Sequence, residues 1–230
     1  MNGFDPVIFD LDGTVVDTVE LIVESFRHAT RTVLHQELPD EVITAGVGQP
    51  LMTQMERLSV EHARELYDVY REYNHRRHDE LIRGYDGVEE MLSSLKGAGR
   101  RLGIVTSKSR DTTAMAFRAV GLRRYFDAVV TASDSAEHKP SPVPIRLCLE
   151  RLAATTAGAI YVGDSPVDIQ AGAAAGVATA AVAWGVFSRS ALLAASPDYW
   201  VDDPAALLRL CLRGEGTVLG AGEASGPARA

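Results

Sequence analysis

Two carboxylates stand two residues apart at Asp10 and Asp12, where the apolar run Val7-Ile8-Phe9 ends and Gly13 follows. Acids are common in turns, so the pair alone says little. The theme returns at Tyr161-Val162-Gly163-Asp164-Ser165-Pro166-Val167-Asp168, again behind an apolar run. Two acidic turns at neighbouring strand ends bring like charges together, and partly buried carboxylates raise one another's pKa. A bound divalent cation resolves that conflict, and hard oxygen ligands with room for water suit Mg²⁺. Asp168 also fits a structural role. With Ser165 as N-cap and Pro166 at the first helical position, it falls where a capping box places its acid.

Two further strand ends offer groups for an anion. After Gly103-Ile104-Val105 come Thr106, Ser107 and Lys108, and Ser109 opens a helix. Hydroxyls and free amides at a helix start bind anions, or simply cap the helix. The loop Glu137-His138-Lys139-Pro140-Ser141-Pro142 holds one lysine in a stretch that also carries Asp134 and Glu137. At a strand end that lysine suits the neutralising of phosphate and carboxylate charge.

Such groups need a frame that gathers strand ends. Apolar, β-branched runs recur at Val7-Ile8-Phe9, Leu102-Gly103-Ile104-Val105, Ala128-Val129-Val130, Ala159-Ile160-Tyr161-Val162 and Val177 to Val182. Most lead through a polar turn into a helix-like segment, which predicts an α/β core, a Rossmann-like parallel sheet flanked by helices. Ligands of such sheets gather at the carboxyl ends of the strands. Between Asp17 and Gly84 no convincing strand appears; Val19, Ile22, Phe26, Ala29 and Val33 step by three and four, as do Ala63, Leu66, Tyr70 and Tyr73. The expected organisation is a core over 1–16 and 85–213, an all-helical insertion over 17–84, and a mobile tail over 214–230 rich in Gly, Ala, Ser and Pro.

Composition narrows the class. The 230 residues are 46% apolar and 23% charged, ordinary for a folded chain able to bury a sizeable core. A net charge of -8 argues against a nucleic-acid surface, so an anionic substrate needs local cations. Cys148 and Cys211 lie far apart in helix-like stretches, forming neither a disulfide framework nor a metal-ligand spacing. The first residues lack the basic and apolar regions of an export signal, so a cytoplasmic location is expected. Ile169 to Ser188 carries no charge but is dominated by Ala and Gly and broken at Gly176, which reads as a helix then a strand, not a membrane span. Monomer and weak homodimer fit the composition equally.

In this order, Asp10-Leu11-Asp12-Gly13-Thr14, Thr106-Ser107, Lys139-Pro140 and Gly163-Asp164-Ser165 with Asp168 resemble the four motifs of the haloacid dehalogenase superfamily. The inserted helices resemble that superfamily's cap of the phosphoglycolate phosphatase kind. Glu20-Leu21-Ile22-Val23-Glu24-Ser25-Phe26-Arg27-His28, Tyr70-Arg71-Glu72-Tyr73-Asn74-His75 and His78-Asp79-Glu80-Leu81 resemble a neighbouring pyrophosphatase branch. The resemblance implies Asp10 as a nucleophile that forms an aspartyl-phosphate and Asp12 as general acid, then base. It implies Mg²⁺ on Asp10, Asp164 and the backbone carbonyl of Asp12, with Thr106, the Ser107 amide and Lys139 on the transferring oxygens. Gly13 then lets the backbone turn tightly beneath the phosphate. Asp12 separates the phosphorus-attacking members from the dehalogenases, which attack carbon.

The expected activity is Mg²⁺-dependent hydrolysis of a small anionic phosphorylated metabolite, a phosphoglycolate-type monoester or inorganic pyrophosphate. A sugar phosphomutase shares Asp10 and Asp12 and is the alternative. A silent binding module is expected to lack Asp10, Asp12 or Lys139, and a dinucleotide site needs a glycine-rich turn that the first strand does not lead into. Substrate choice is expected in the insertion. Gly48 and Gln49, in the turn Gly46-Val47-Gly48-Gln49-Pro50, can close over the leaving group. His75 and His78, three apart, can share a helix side and recognise a second anionic group.

Overall fold

The computed structural model describes residues 3–219. Six parallel strands and one antiparallel strand form the main sheet: β1 (Val7–Phe9), β4 (Leu102–Val105), β5 (Ala128–Val130), β6 (Ile160–Gly163), β7 (Ala178–Val182), β8 (Tyr199–Val201) and β9 (Thr217–Val218). Their spatial order is β5-β4-β1-β6-β7-β8-β9, with only β9 antiparallel. Strand β1 sits centrally between β4 and β6, so the chain end that carries Asp10 lies beside those that carry Thr106 and Asp164. The frame is the Rossmann-like α/β sheet that the strand-and-helix alternation predicts.

The pleat of β1 explains its unbroken apolar run. Val7 and Phe9 face one side, with Val88, Met91, Leu92 and Leu95 of α5 (Val88–Gly97) and Leu207 and Leu210 of α10 (Pro204–Arg213). Ile8 faces the other, with Ile145, Cys148 and Leu149 of α7 (Val143–Arg151) and Ala171 and Ala175 of α8 (Pro166–Ala175). Both faces are covered, so alternation with polar residues is absent, as in buried parallel strands. The small residues of α8 let it pack on Tyr161, and among the described residues no helix is long and apolar enough to cross a membrane. Both cysteines are buried free thiols.

Helices α1 (Val19–Val33), α2 (Asp40–Thr44), α3 (Leu51–Leu58) and α4 (Ala63–Leu81) lie between two short strands, β2 (Val16–Asp17) and β3 (Arg83–Gly84), which pair antiparallel. Phe26, Met55, Leu66 and Tyr70 give these helices a hydrophobic core of their own, extended by Val186 and Phe187 from the main domain.

Three elements depart from the sequence expectation. The ribbon β2–β3 has two residues per strand, too few for a period-2 pattern to show. Strand β8 follows directly on Pro197-Asp198, whose turn chemistry masks the three buried residues Tyr199, Trp200 and Val201. Strand β9 falls inside the stretch expected to be mobile: Thr217 and Val218 pair with Trp200 and Tyr199, and the Leu219 amide donates to the Asp198 carbonyl. The exposed edge of β8 supplies the partner groups that composition does not reveal. The rest of the expected tail, 220–230, lies outside the described residues.

Candidate active site

Asp10 continues the ladder beyond β1, its amide donating to the Val162 carbonyl at 2.8 Å, which fixes its side chain over the sheet's carboxyl end. It is 3% exposed. Lys139 Nζ lies 2.8 Å from Asp10 Oδ1 and 2.7 Å from Asp168 Oδ1, with 1% of the lysine side chain exposed. Although burial opposes its charge, Asp10 and Asp168 hold Lys139 well above the usual ammonium value. Lys139 is therefore a fixed cation beneath the first carboxylate.

Asp168 is the acid of a complete capping box at the start of α8, as the sequence pattern suggests. Its Oδ2 accepts from the Ser165 amide at 3.1 Å and from Ser165 Oγ at 2.5 Å; Tyr161 donates to Oδ1 at 3.3 Å. With both oxygens engaged, Asp168 orients Lys139 and the turn that carries Asp164. Asp164 accepts from Thr14 Oγ1 at 3.0 Å and from the Val186 amide at 3.1 Å. Gly13, at φ +75°, sits so close that a β-carbon there meets Asp164 Oδ2 at 2.3 Å. Its place in the turn is set by this approach as well as by its backbone conformation.

Carboxylate oxygens of Asp10, Asp164 and Asp168 lie within 4.8 Å of one another, all buried. Burial raises Asp10 well above the carboxylate range; Lys139 opposes this, and Asp168, Asp164 and Asp12 add to it. Burial, then Asp168, pushes Asp164 up to about 7 against the Val186 and Thr14 hydrogen bonds. One lysine does not neutralise three buried acids, and the donor set is all oxygen. The cluster thus fits a hard divalent cation, with Asp10 and Asp164 retaining free lone pairs to hold it.

Asp12 is more open. Its Oδ1 accepts from Thr18 Oγ1 at 2.6 Å and lies 2.9 Å from Lys108 Nζ. Asp10, Asp12, Thr106, Ser107 and Lys108 form the floor of a cavity of about 100 Å³ roofed by α1, α4 and the turn before α3. Ser109 caps α6 (Arg110–Val120) by accepting from the Thr112 amide, so Thr106 to Ser109 fill the stretch between β4 and this helix. Thr106 Oγ1 accepts from the Lys108 amide at 3.2 Å, and Ser107 Oγ donates to the Gly48 carbonyl at 2.6 Å. That bond ties the inserted helices to the core. Gly48, at φ +92°, has room for no side chain: a β-carbon meets Ser165 Oγ and Val167 Cγ2, each at 2.8 Å.

Gly48, Gln49 and His75 line the cavity. His78 does not. It lies where α4 returns toward the core, 1% exposed, its Nδ1 2.7 Å from Asp79 Oδ1, so the expected pairing of the two histidines on one substrate-facing side fails. Burial, and then the neighbouring Arg71, lower the pKa of His75, which disfavours its cationic form. The positive group on that face is Arg71, one helical turn away at the i,i+4 position, with Tyr70 and Asn74 beside it in the lining. Arg71 and the partnering of Lys108 with Asp12 were not singled out by sequence. Helical spacing from His75 points to Arg71; nothing in the sequence distinguishes Lys108 from a solvated lysine.

The sequence profile described as haloacid dehalogenase-like hydrolase matches residues 7–182. A pyrophosphatase PpaX from Bacillus velezensis is 41% identical over 204 residues, covering 89% of this chain and 94% of that protein. A pyrophosphatase PpaX from Bacillus cereus is 39% identical over 202 residues, covering 88% and 94%. Among solved structures, a Clostridium acetobutylicum protein described as a predicted phosphatase matches with a TM-score of 0.81 at 29% identity, covering 90% of this chain and 97% of that one. One from Haemophilus somnus, described as a predicted phosphoglycolate phosphatase, shares the fold with a TM-score of 0.79 at 24% identity, covering 90% and 97%. The chain belongs to the haloacid dehalogenase-like hydrolase family, as a hydrolase of the phosphatase kind.

Proposed function

We propose that this hydrolase is a Mg²⁺-dependent phosphohydrolase whose substrate is inorganic pyrophosphate or a similarly small phosphomonoester such as phosphoglycolate, and whose nucleophile is Asp10. The observation that carries the reading is the pair Asp10 and Asp12 at one strand end, with Lys139 held against Asp10 and a small cavity in front. About 100 Å³ falls well below the ~300–1,000 Å³ of pockets that take drug-sized ligands. The kinship to pyrophosphatase PpaX puts pyrophosphate first.

In this mechanism an Asp10 oxygen attacks phosphorus as the bond to the leaving oxygen breaks. Asp12 gives that oxygen its proton, leaving an acyl-phosphate on Asp10. Asp12 then takes a proton from water, which attacks the same phosphorus, breaks the Asp10 O–P bond and frees inorganic phosphate. Thr106, the Ser107 amide and Lys139 stabilise the equatorial oxygens as their charge grows. Asp10, Asp164 and the Asp12 carbonyl would hold Mg²⁺, which would supply positive charge to screen the nucleophile from the substrate. The inserted helices, residues 17–84, act as a cap that excludes water during the first step, with Gly48, Gln49, His75 and Arg71 on its inner face.

The test is phosphate release from pyrophosphate, phosphoglycolate, sugar phosphates and nucleotides, with Mg²⁺ and with EDTA. One small substrate should dominate and EDTA should abolish its turnover. Turnover that survives EDTA, or isomerised sugar phosphate as the product, contradicts the reading.

A further inference from the structure

Helix α6 has two working faces. Ser109 and Thr112 line the catalytic cavity, whereas Arg110, Thr113, Phe117 and Arg118 line a second cleft of about 470 Å³. That volume lies in the ~300–1,000 Å³ range of small-molecule pockets. Four arginines, Arg110, Arg118, Arg123 and Arg151, line this cleft with one carboxylate, Asp134, in a chain whose net charge is -8. So local a concentration of positive charge marks an anion's place.

The arginines are held but not used up. Arg110 and Arg151 each reach Asp134 Oδ1, at 3.0 and 2.9 Å. Arg151 also donates to the Val129 carbonyl on the edge strand at 2.5 Å, and Arg123 to the Phe126 carbonyl at 2.6 Å. A guanidinium carries five N–H donors, so each keeps donors to spare. The Arg118 side chain is exposed and makes no hydrogen bond or ion pair among the described residues. Phe117 and Val129 give the cleft an apolar wall. Thr113, which also lines it, is 3% exposed and its hydroxyl has no hydrogen-bond partner, an unusual state for a buried polar group.

The cleft is wired to the phosphate-facing loop. The Ala132 amide donates to the Lys108 carbonyl at 2.8 Å, and the Arg110 amide donates to Ser133 Oγ at 3.2 Å. Asp134 in turn accepts from the Thr131 amide at 2.9 Å. A ligand that draws Arg110 or Arg151 away from Asp134 therefore pulls on the turn that holds Lys108 and Ser109.

We propose that this cleft is an effector site for a nucleoside phosphate. Its phosphoryl oxygens are taken by the guanidiniums and its ring system by the apolar wall, and occupancy changes turnover at the catalytic cavity. The size of the cleft and the pairing of charge with an apolar wall favour a nucleoside phosphate over a bare phosphate.

Titration calorimetry at fixed free Mg²⁺ tests this, with adenosine triphosphate, inorganic triphosphate and adenosine as probes. Adenosine triphosphate should bind the wild-type protein, and each of the other two should bind about tenfold more weakly or not at all. Arg118→Glu with Arg123→Glu should weaken the nucleotide about tenfold or more while leaving basal turnover unchanged. Arg118→Glu alone, at a side chain that supports nothing else, carries the same test should the double variant fail to fold. The wild-type rate should change with a half-effect concentration equal to the Kd, and this response should vanish in the variant. Equal nucleotide binding in wild type and variant overturns the site. Inorganic triphosphate binding as tightly as the nucleotide overturns the ligand class, and binding without a change in rate overturns the effector role. The binding arms need no turnover, so they stand apart from the substrate proposed above.

Discussion

Replacing Lys139 by methionine removes the cation from beneath Asp10 while keeping most of the side-chain volume. Lys139 is buried and touches two buried carboxylates, at 2.8 and 2.7 Å, with Asp164 completing a cluster within 4.8 Å. Removing one partner of a buried ion pair costs about 3–5 kcal/mol. Here one cation serves two acids, so a loss near the upper end, about 5 kcal/mol, is expected for the metal-free protein. The acids limit that loss by taking protons. Asp10 and Asp164 already lie above the carboxylate range, and without Lys139 they rise further. In the variant the folded state then binds more protons than the unfolded state between the ordinary and the raised values, so its stability falls as pH rises through that window. Urea unfolding in EDTA should show the loss smallest near about pH 5 and largest near about pH 8. Saturating Mg²⁺ should restore part of it, about 2.7 kcal/mol at a free concentration of 100 times Kd. A loss below about 1 kcal/mol in EDTA near about pH 8, or one that does not grow with pH, refutes the charge balance described here.

Gly48→Ala places a methyl group 2.8 Å from Ser165 Oγ and Val167 Cγ2 at a left-handed backbone position. It should cost about 1–2 kcal/mol of the cap–core contact and lower kcat/KM about tenfold, and an unchanged kcat/KM in steady-state assays removes Gly48 from the closure. In the metal-free wild type, Asp164 sits at about 7 in the folded state against 3.8 for the free side chain. Its raised value favours folding below that window and is lost as pH climbs through it, so EDTA-treated protein should melt lower near about pH 8 than near about pH 5. Metal binding needs the carboxylate, so calorimetry in two buffers near about pH 6.5 should register proton release; none contradicts the assignment of Asp164 as a ligand.

The strand ends were the legible part of this molecule. A fully buried parallel strand needs a continuous apolar run, and those of β1, β4 and β6 each stop just before a site residue, Asp10, Thr106 and Asp164. The capping box of Ser165 and Asp168 was legible too, because its spacing is local to one helical turn. What escaped depends on neighbours distant in sequence. Lys108 looks like any surface lysine until the sheet brings it 2.9 Å from Asp12. The Val186 amide on Asp164 follows β7 by four residues and has no side-chain signature. His78 shares a helix with His75, yet the return of α4 to the core turns one toward the cavity and buries the other. Strand β9 exists because an edge was open to it, a fact about β8 that its own residues do not carry.

The most direct test of the central claim is chemical trapping on Asp10. The Asp12→Asn variant keeps the nucleophile but lacks the acid of the first step and the base of the second; with Mg²⁺ and acetyl phosphate, whose leaving group departs without a proton, only the second step is blocked and phosphoryl groups should accumulate on the protein. Borohydride reduction followed by mass spectrometry of peptides should convert residue 10, and no other, to homoserine. An unmodified Asp10 under turnover, or label on a different residue, contradicts the account.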